Sequence, residues 1–409
     1  MQDVHAVLVA ALGDDIVRPA TDADVVLDRE PVAVIEPRSA DEVAEVLRVA
    51  TREDIALVTR GGGTKVEWGS PPARCDAILS TRGLGRLVEY EPGDMTCVAE
   101  AGLSLVDLQT RLADEPGFAQ RLMIDGHGPM ATLGGTVATN ASGPRRTRYG
   151  TPRDLLIGVR YVTGDGLAAR SGGKVVKNVA GYDVAKLLTG SLGTLAVITE
   201  TAWKLHPLPA TAHTLVLHQP DPERMASLCH ALRTAPVTPT TAELCWPEGT
   251  LTVRIESTPD GARAQAERIR ARVDGPVEDL THEAAEERER ALHERVWGGS
   301  APVVAVGVRP SRLRGLLAAV DAAGGVLGAR ALIGSGEVGL PDADPDRLDR
   351  LVAALSALEA TVRLRRAPVA LRDLEPRLTD PGVGDVSSAL KRELDPAAIL
   401  APGREPTAA

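Results

Sequence analysis

At 409 residues, with 44% hydrophobic and 25% charged side chains, the chain has the composition of a soluble globular protein of two or three domains, which excludes disorder as its main state. Its net charge of -10 argues against sequence-independent nucleic-acid binding, which needs a basic face. No apolar run approaches the roughly 18 residues of a membrane span. The first twenty residues carry Asp3, Asp14 and Asp15 and do not read as a signal peptide, and Cys75, Cys97, Cys229 and Cys245 have no CxxC spacing, so a cytoplasmic chain with reduced thiols is expected.

Residues 31–36 read as a strand. Ser39, with Glu42 three residues on, opens a helix as a capping box, and Val43, Val46, Leu47 and Ala50 share one face of it. A β-branched strand at 55–59 closes a strand–helix–strand unit and runs into Arg60-Gly61-Gly62-Gly63-Thr64-Lys65. Strands at 76–80, 86–90 and 96–100 follow, then a helix from Ser104 to about Ala113. Residues 126–143 are rich in Gly, Ala and Thr, and strands are expected at 156–163 and 195–204. The Pro pair in His206-Pro207-Leu208-Pro209 marks a domain boundary. Beyond it the pattern predicts strands near 213–218, 240–245, 251–256, 302–308, 326–333 and 361–365. Helices are predicted near 222–233, 260–272, 311–322, 346–358 and 384–394, and the charged run 283–295 reads as an exposed helix.

Three stretches could carry chemistry. In Arg60–Lys65, three consecutive glycines let the backbone approach a ligand and turn its N–H groups toward an anion such as a diphosphate, although the loop is neither a Walker A nor a Rossmann turn. In 126–143, small side chains suit a flat ligand lying on main chain, and Thr132 can cap a helix whose N–H groups face a phosphate. The third runs from Gly172 through Lys177-Asn178 and Gly181-Tyr182-Asp183 to Gly190-Ser-Leu-Gly-Thr194 and a strand. The chain holds 40 Arg, 6 Lys and 2 Asn. Five of those eight Lys and Asn residues (Asn140, Lys174, Lys177, Asn178 and Lys186) lie between 140 and 186, which suggests a local chemical need. Gly334-Ser-Gly336-Glu-Val-Gly339 matches GxGxxG, but Pro341 and Pro345 prevent the helix that a dinucleotide turn must open, so a strand–turn pair is expected. Arg363, Arg365 and Arg366 read as an exposed basic edge.

In this order the three stretches resemble the FAD-binding (PCMH-type) domain of the vanillyl-alcohol oxidase/p-cresol methylhydroxylase superfamily. Asn140-Ala-Ser-Gly with Arg148-Tyr149-Gly150, the 177–183 run, and the closing 390–396 and Pro402-Gly403 motif are similar to the branch that acts on 2-hydroxy acids. Within that branch the chain most resembles the small FAD-binding subunit of bacterial glycolate oxidase. The resemblance implies an α+β fold. A two-subdomain FAD-binding domain at 1–207 (core 27–207) would precede a smaller α+β domain at 208–409, with an antiparallel sheet covered by helices and with 384–404 returning toward the FAD domain. It also implies site residues. Arg60 and the backbone of Gly61, Gly62, Gly63, Thr64 and Lys65 would hold the FAD diphosphate. Gly128, Thr132, Gly134, Gly135, Thr136, Asn140, Ala141 and Ser142 would line the flavin and ribityl chain, Arg148 and Tyr149 would border the same pocket, and main chain at Val197 and Ile198 would meet the adenine end.

Relatives that attach FAD covalently use a His or Cys in these loops. The first loop has neither, and no Cys lies between 98 and 228, so non-covalent FAD is expected. The only histidines past residue 230 are His282 and His293, whose spacing of eleven does not suit a metal pair, so no metal is expected. No catalytic residue is assigned; His127 is an outside candidate for a base. The implied activity is hydride transfer from a 2-hydroxy acid, glycolate or D-lactate, to flavin. The implied partners are a larger FAD-binding subunit and an iron–sulfur subunit, with any membrane contact peripheral or through a partner. A stand-alone dehydrogenase and a non-catalytic flavin-carrying accessory subunit are the alternatives.

Overall fold

The computed structural model describes residues 3–115, 117–173, 182–372 and 381–404. They divide into two compact units. The first comprises Met1–Gly143, Gly150–Leu208 and Thr379–Ala409, and the second comprises Pro144–Tyr149 and Pro209–Leu378. The division is therefore not one of two consecutive stretches: the chain leaves the first unit at 208 and rejoins it at 379.

In the first unit the strand Ala33–Ile35 is buried along its whole length, as its unbroken apolar sequence requires. The helix Ala40–Glu53 follows, with Val43, Val46, Leu47 and Ala50 buried against the sheet. Ser39 Oγ accepts the Glu42 N–H at 3.1 Å, but the Glu42 carboxylate takes the N–H of Arg38, at 2.6 Å, so the capping box closes one residue early. The chain then returns as Leu57–Arg60. Ala77–Ser80 lies between the two strands, parallel to both, and Val17–Pro19 adds an antiparallel edge. Leu8 from an apolar helix at Val4–Leu12, absent from the sequence expectations, joins Leu47, Leu57 and Leu79 in this core. A second, antiparallel sheet runs in the order Leu87–Glu91, Thr96–Glu100, Ala196–Lys204, Leu156–Thr163, Ala168–Gly172. Its centre holds fully buried Trp203, whose Nε1 donates to Thr201 Oγ1 at 2.8 Å.

The second unit is an eight-stranded antiparallel sheet. The helices Pro222–Thr234, Pro259–Arg270, Leu313–Ala323 and Pro345–Ser356 supply its apolar core. The charged run forms the helix His282–Trp297, but it is not a free surface helix: Ala285 and Val296 are buried, and Arg288 and Arg295 both pair with Glu248. The GxGxxG run is a strand, Ser335–Gly339, entered by a turn at Gly334 (φ +70°) and paired with Val326–Arg330. A Cβ on Gly339 would sit 2.4 Å from the Val296 carbonyl oxygen, so this glycine lets the helix close on the sheet. Thr361–Arg366 is an edge strand, with Arg366 donating to the carbonyls of Trp297 and Ala301. All four cysteines are buried and free.

Candidate functional site

The first unit carries a cleft that encloses about 690 Å³, open solvent at its mouth included. Its first wall is the loop that leaves the strand Leu57–Arg60. The three glycines there answer to different constraints. A Cβ on Gly61 would lie 2.1 Å from Thr132 Oγ1, and one on Gly62 would lie 1.6 Å from the Met130 carbonyl oxygen. Gly63 adopts φ +75°, which side chains rarely tolerate. Among the described residues, the N–H groups of Gly61 through Lys65 donate to no protein acceptor.

Lys65 ends this run only 7% exposed. Its Nζ donates to Thr64 Oγ1 at 3.0 Å, and among the described residues no carboxylate pairs with it. Burial pushes its pKa down to about 8. Arg60 is differently placed: its Nη2 reaches Asp24 Oδ1 at 2.6 Å. Asp24, nearly buried, also takes both prongs of Arg18, at 2.8 and 3.0 Å. Arg18, then Arg60, then the Thr21 N–H hold its carboxyl well below the usual carboxylate range. The charged residues lining the cleft are Arg60, Lys65 and Arg404; among the described residues no Asp or Glu lines it.

The second wall is the helix Leu133–Thr139, capped by Thr132. The expectation that its N–H groups face a phosphate is overturned. Leu133 donates to Leu103 O at 3.0 Å, Gly134 to Ala101 O at 2.8 Å and Gly135 to Thr132 Oγ1 at 3.3 Å. All three donors at the helix start are spent on protein, because Gly134 lets the helix sit directly on Ala101, 2.7 Å from a hypothetical Cβ. The free donors of the cleft are on the glycine loop instead. Thr59, which also lines the cleft, has a buried Oγ1 with no partner.

The third wall is the loop at 190–194. Its Gly190 and Leu192 N–H groups bond to Val137 O and Ala138 O, at 3.0 and 2.7 Å, so the end of the helix carries the loop. Leu192 and Gly193 have positive φ and line the cleft. The strand Ala196–Lys204 follows, with Ala196 and Ile198 on the cleft side. Val197 faces the opposite way, into the core with Leu57 and Leu79, as strand alternation dictates.

Of the residues expected from sequence, the structure brings Arg60, Gly61, Gly62, Gly63, Thr64, Lys65, Thr132, Gly134, Gly135 and Ile198 to one cleft. It leaves others outside the lining. Gly128 makes a turn at φ +86° against Thr64, and Thr136 is 2% exposed inside its helix. Asn140 is the left-handed cap that ends that helix, and Ala141 and Ser142 lie past it. Arg148 and Tyr149 cluster with the second unit, where Arg148 Nη1 donates to Glu256 O at 2.9 Å and its guanidinium lies over the Tyr149 ring. Lys174, Lys177 and Asn178 lie outside the described residues. Sequence reasoning had Ala138 and Leu192 only as members of the 126–143 and 190–194 stretches, and it missed Thr59, Thr81, Ala196 and Arg404. Arg404 follows the Pro402-Gly403 motif in a segment expected to return to this domain, but nothing local marks its own side chain for the cleft.

His127 packs edge-on against Trp68, 5.2 Å between ring centres, and does not line the cleft. Among the described residues no group of three or more His, Cys, Asp or Glu side chains could hold a metal ion. His282 and His293 lie on one helix, about 16 Å apart along its axis. No helix among the described residues is long and apolar enough to cross a membrane.

A cleft with three cationic side chains, no acid, five free N–H groups and a buried ammonium lacking a carboxylate fits a diphosphate, and its glycine- and alanine-lined walls fit a flat ring system. Comparison with known proteins agrees. Residues 31–172 match the family described as FAD binding domain. The chain is 32% identical over 224 residues to glycolate oxidase subunit GlcE of Escherichia coli (strain K12), covering 54% of this chain and 62% of that one. It is 31% identical over 217 residues to glycolate oxidase subunit GlcD of Bacillus subtilis (strain 168), covering 52% of this chain and 45% of that one. The matches thus span about half of each protein. A crystal structure of p-cresol methylhydroxylase with substrate bound superposes with a TM-score of 0.78 over 98% of this chain and 96% of that one at 16% identity, a likeness of fold. Residues 31–172 are therefore an FAD-binding domain, FAD is the cofactor, and the fold is like that of p-cresol methylhydroxylase.

Proposed function

We propose that this chain is the smaller flavin subunit of a glycolate-type oxidase, acting on a small 2-hydroxy acid such as glycolate or D-lactate together with a larger FAD-binding subunit and an iron–sulfur subunit. The match to GlcE, which spans a larger share of that protein than the match to GlcD does, is the observation that carries the subunit reading. The cleft is the proposed flavin site. The N–H groups of Gly61–Lys65 and the Lys65 ammonium take the diphosphate, and Arg60 is held at the loop's head by Asp24. Gly134, Gly135 and Ala138 leave the backbone bare for the ring system, while Leu192, Ala196 and Ile198 keep water from it. When bound, FAD supplies the hydride acceptor that a 2-hydroxy acid needs to become a 2-oxo acid. The cleft lining has no His, Cys or Tyr among the described residues, which supports non-covalent binding.

Acid precipitation of the purified protein tests the cofactor's attachment: yellow supernatant over a white pellet is expected, and a yellow pellet would overturn it. Stopped-flow mixing of the isolated chain with glycolate and with D-lactate tests the chemistry. Coexpression with candidate flavin and iron–sulfur subunits, followed by size-exclusion chromatography, tests the assembly. Elution alone with ordinary turnover of glycolate or D-lactate would replace the subunit reading with a stand-alone dehydrogenase. Flavin in the isolated chain that no hydroxy acid reduces, within an active complex, would leave an accessory subunit.

A further inference from the structure

Residues 381–404 end in two cations that hold the walls of the cleft. In the helix Pro381–Leu394, Lys391 is buried, and its Nζ donates to Thr194 O at 2.8 Å and to Leu400 O at 2.5 Å. Its charge is met by Asp395 at 2.7 Å, with side-chain exposures of 8% and 0%. Asp395 in turn accepts from the N–H groups of Ile399 and Leu400, at 3.2 and 2.8 Å. Arg404, 5% exposed, donates from one nitrogen to Val66 O and to Trp68 O, the latter at 2.7 Å, and itself lines the cleft.

We propose that Lys391 and Arg404 are positioning residues for the flavin: Lys391 fixes the 190–194 loop and Arg404 fixes the exit of the 61–65 loop, so that the two walls stand at the separation the cofactor requires. The inference rests on the cleft being the flavin site. Its physical basis is local. In the 190–194 loop Leu192 has φ +55°, a conformation that a residue with a side chain keeps only where surroundings over-determine it. The 61–65 loop spends none of its own N–H groups on protein, so its shape depends on what grips its ends. The anchors in both cases are charge-assisted bonds to backbone carbonyls, out of water. The chain leaving the 61–65 loop also packs on the second loop, since a Cβ on Gly69 would lie 2.6 Å from Leu192 Cδ1.

The test is titration of apo-protein with FAD, followed by flavin fluorescence, alongside amide hydrogen exchange. Arg404→Met is one variant. The other is Lys391→Met combined with Asp395→Asn, which leaves no uncompensated buried charge. FAD affinity should fall roughly tenfold to a hundredfold in each. Before FAD is added, the amides of Val66 and Trp68 should exchange faster in the first variant and those of Leu192 and Thr194 in the second, with the Ala33–Ile35 strand unchanged. Arg404→Lys, which keeps the charge but not the fork, should bind with intermediate affinity and covers the case in which Arg404→Met does not fold. Exposed Arg392→Ala, on the same helix, should bind as the parent does. Parent-like affinity in the Met variants, or uniform acceleration of exchange across the first unit, would overturn the inference. Failure of the parent itself to bind FAD would instead sink the assignment of the cleft.

Discussion

The cleft of the first unit and the cavity of the second differ in how their charges are satisfied. In the second unit a cavity of about 600 Å³ lies between the sheet and the helix His282–Trp297, lined by Arg254, Arg288, Arg295, Glu243, Glu248 and Glu289 among others. Its charges meet one another: Glu248 takes both Arg288 and Arg295, and Arg254 Nε lies 3.1 Å from Glu256. In the first unit, by contrast, Lys65 has a hydroxyl for company and the loop N–H groups have no acceptor. The lesson is that polarity alone does not mark a site. A set of like charges and donors that the protein leaves uncompensated is an anion's negative image, whereas a neutral network of pairs serves the protein itself.

The sharpest way to break this contrast is steric. Gly62→Ala places a methyl 1.6 Å from a backbone oxygen that no rotamer change can move. Purified Gly62→Ala should carry no flavin, with affinity down by about a hundredfold or more. Gly61→Ala meets only the Thr132 side chain, so Gly61→Ala with Thr132→Ala should recover part of the binding.

Next in size is Lys65→Met, where two effects of opposite sign are expected. FAD binding should weaken about tenfold or more, while apo-protein should melt a few degrees higher, because an unpaired buried charge has been removed. Differential scanning fluorimetry of apo and FAD-loaded protein reads both. A lower melting temperature in the apo variant would show that Lys65 is compensated after all.

The pH dependence sharpens the same point. With its pKa at about 8 in the folded apo-protein and about 10.4 unfolded, Lys65 releases its proton earlier when folded. Between those values the unfolded chain binds more protons, so apo stability should rise with pH across that window. FAD, which favours the charged ammonium, should bind with steady affinity below about pH 8 and weaken above it by up to about tenfold per pH unit. Lys65→Met should lose both trends.

The smallest effect is expected in the self-paired cavity. Glu248→Gln strands Arg288 and Arg295 at a partly exposed position, which should cost about 1 kcal/mol of stability. FAD affinity should stay within about a factor of two. A large loss of flavin on Glu248→Gln would dissolve the distinction between the two regions.

Much of this was legible in the sequence where the cause is local. Ser39 opens its helix and Val43, Val46, Leu47 and Ala50 bury as their period predicts, and the Arg60–Lys65 run does leave its strand as a loop that lines the cleft. What escaped depends on partners far along the chain. The Thr132-capped helix looks like a phosphate cradle until Ala101 and Leu103 claim its donors. Val197 and Ile198 are equivalent in the sequence motif, yet strand alternation sends one to the core and the other to the cleft. Arg148 and Tyr149 sit in the motif order beside Asn140, but six residues around them belong to the other unit.

The strand Leu57–Arg60 is completed late in the life of the chain. Its outer edge is closed at Leu57 by residues 399–401: Leu57 N–H donates to Ile399 O and Ala401 N–H to Leu57 O, both at 2.7 Å. On a ribosome adding roughly 5–20 residues per second, that strand waits tens of seconds for its last neighbour while the second unit is being made. During that interval the edge is open to pairing with other nascent chains. A chaperone that shields this strand until residue 401 has emerged would raise yield more than one acting on the second unit, whose sheet needs nothing synthesised after it. Arrested chains ending before and after residue 401, compared by protease sensitivity near Leu57, would reveal the delay.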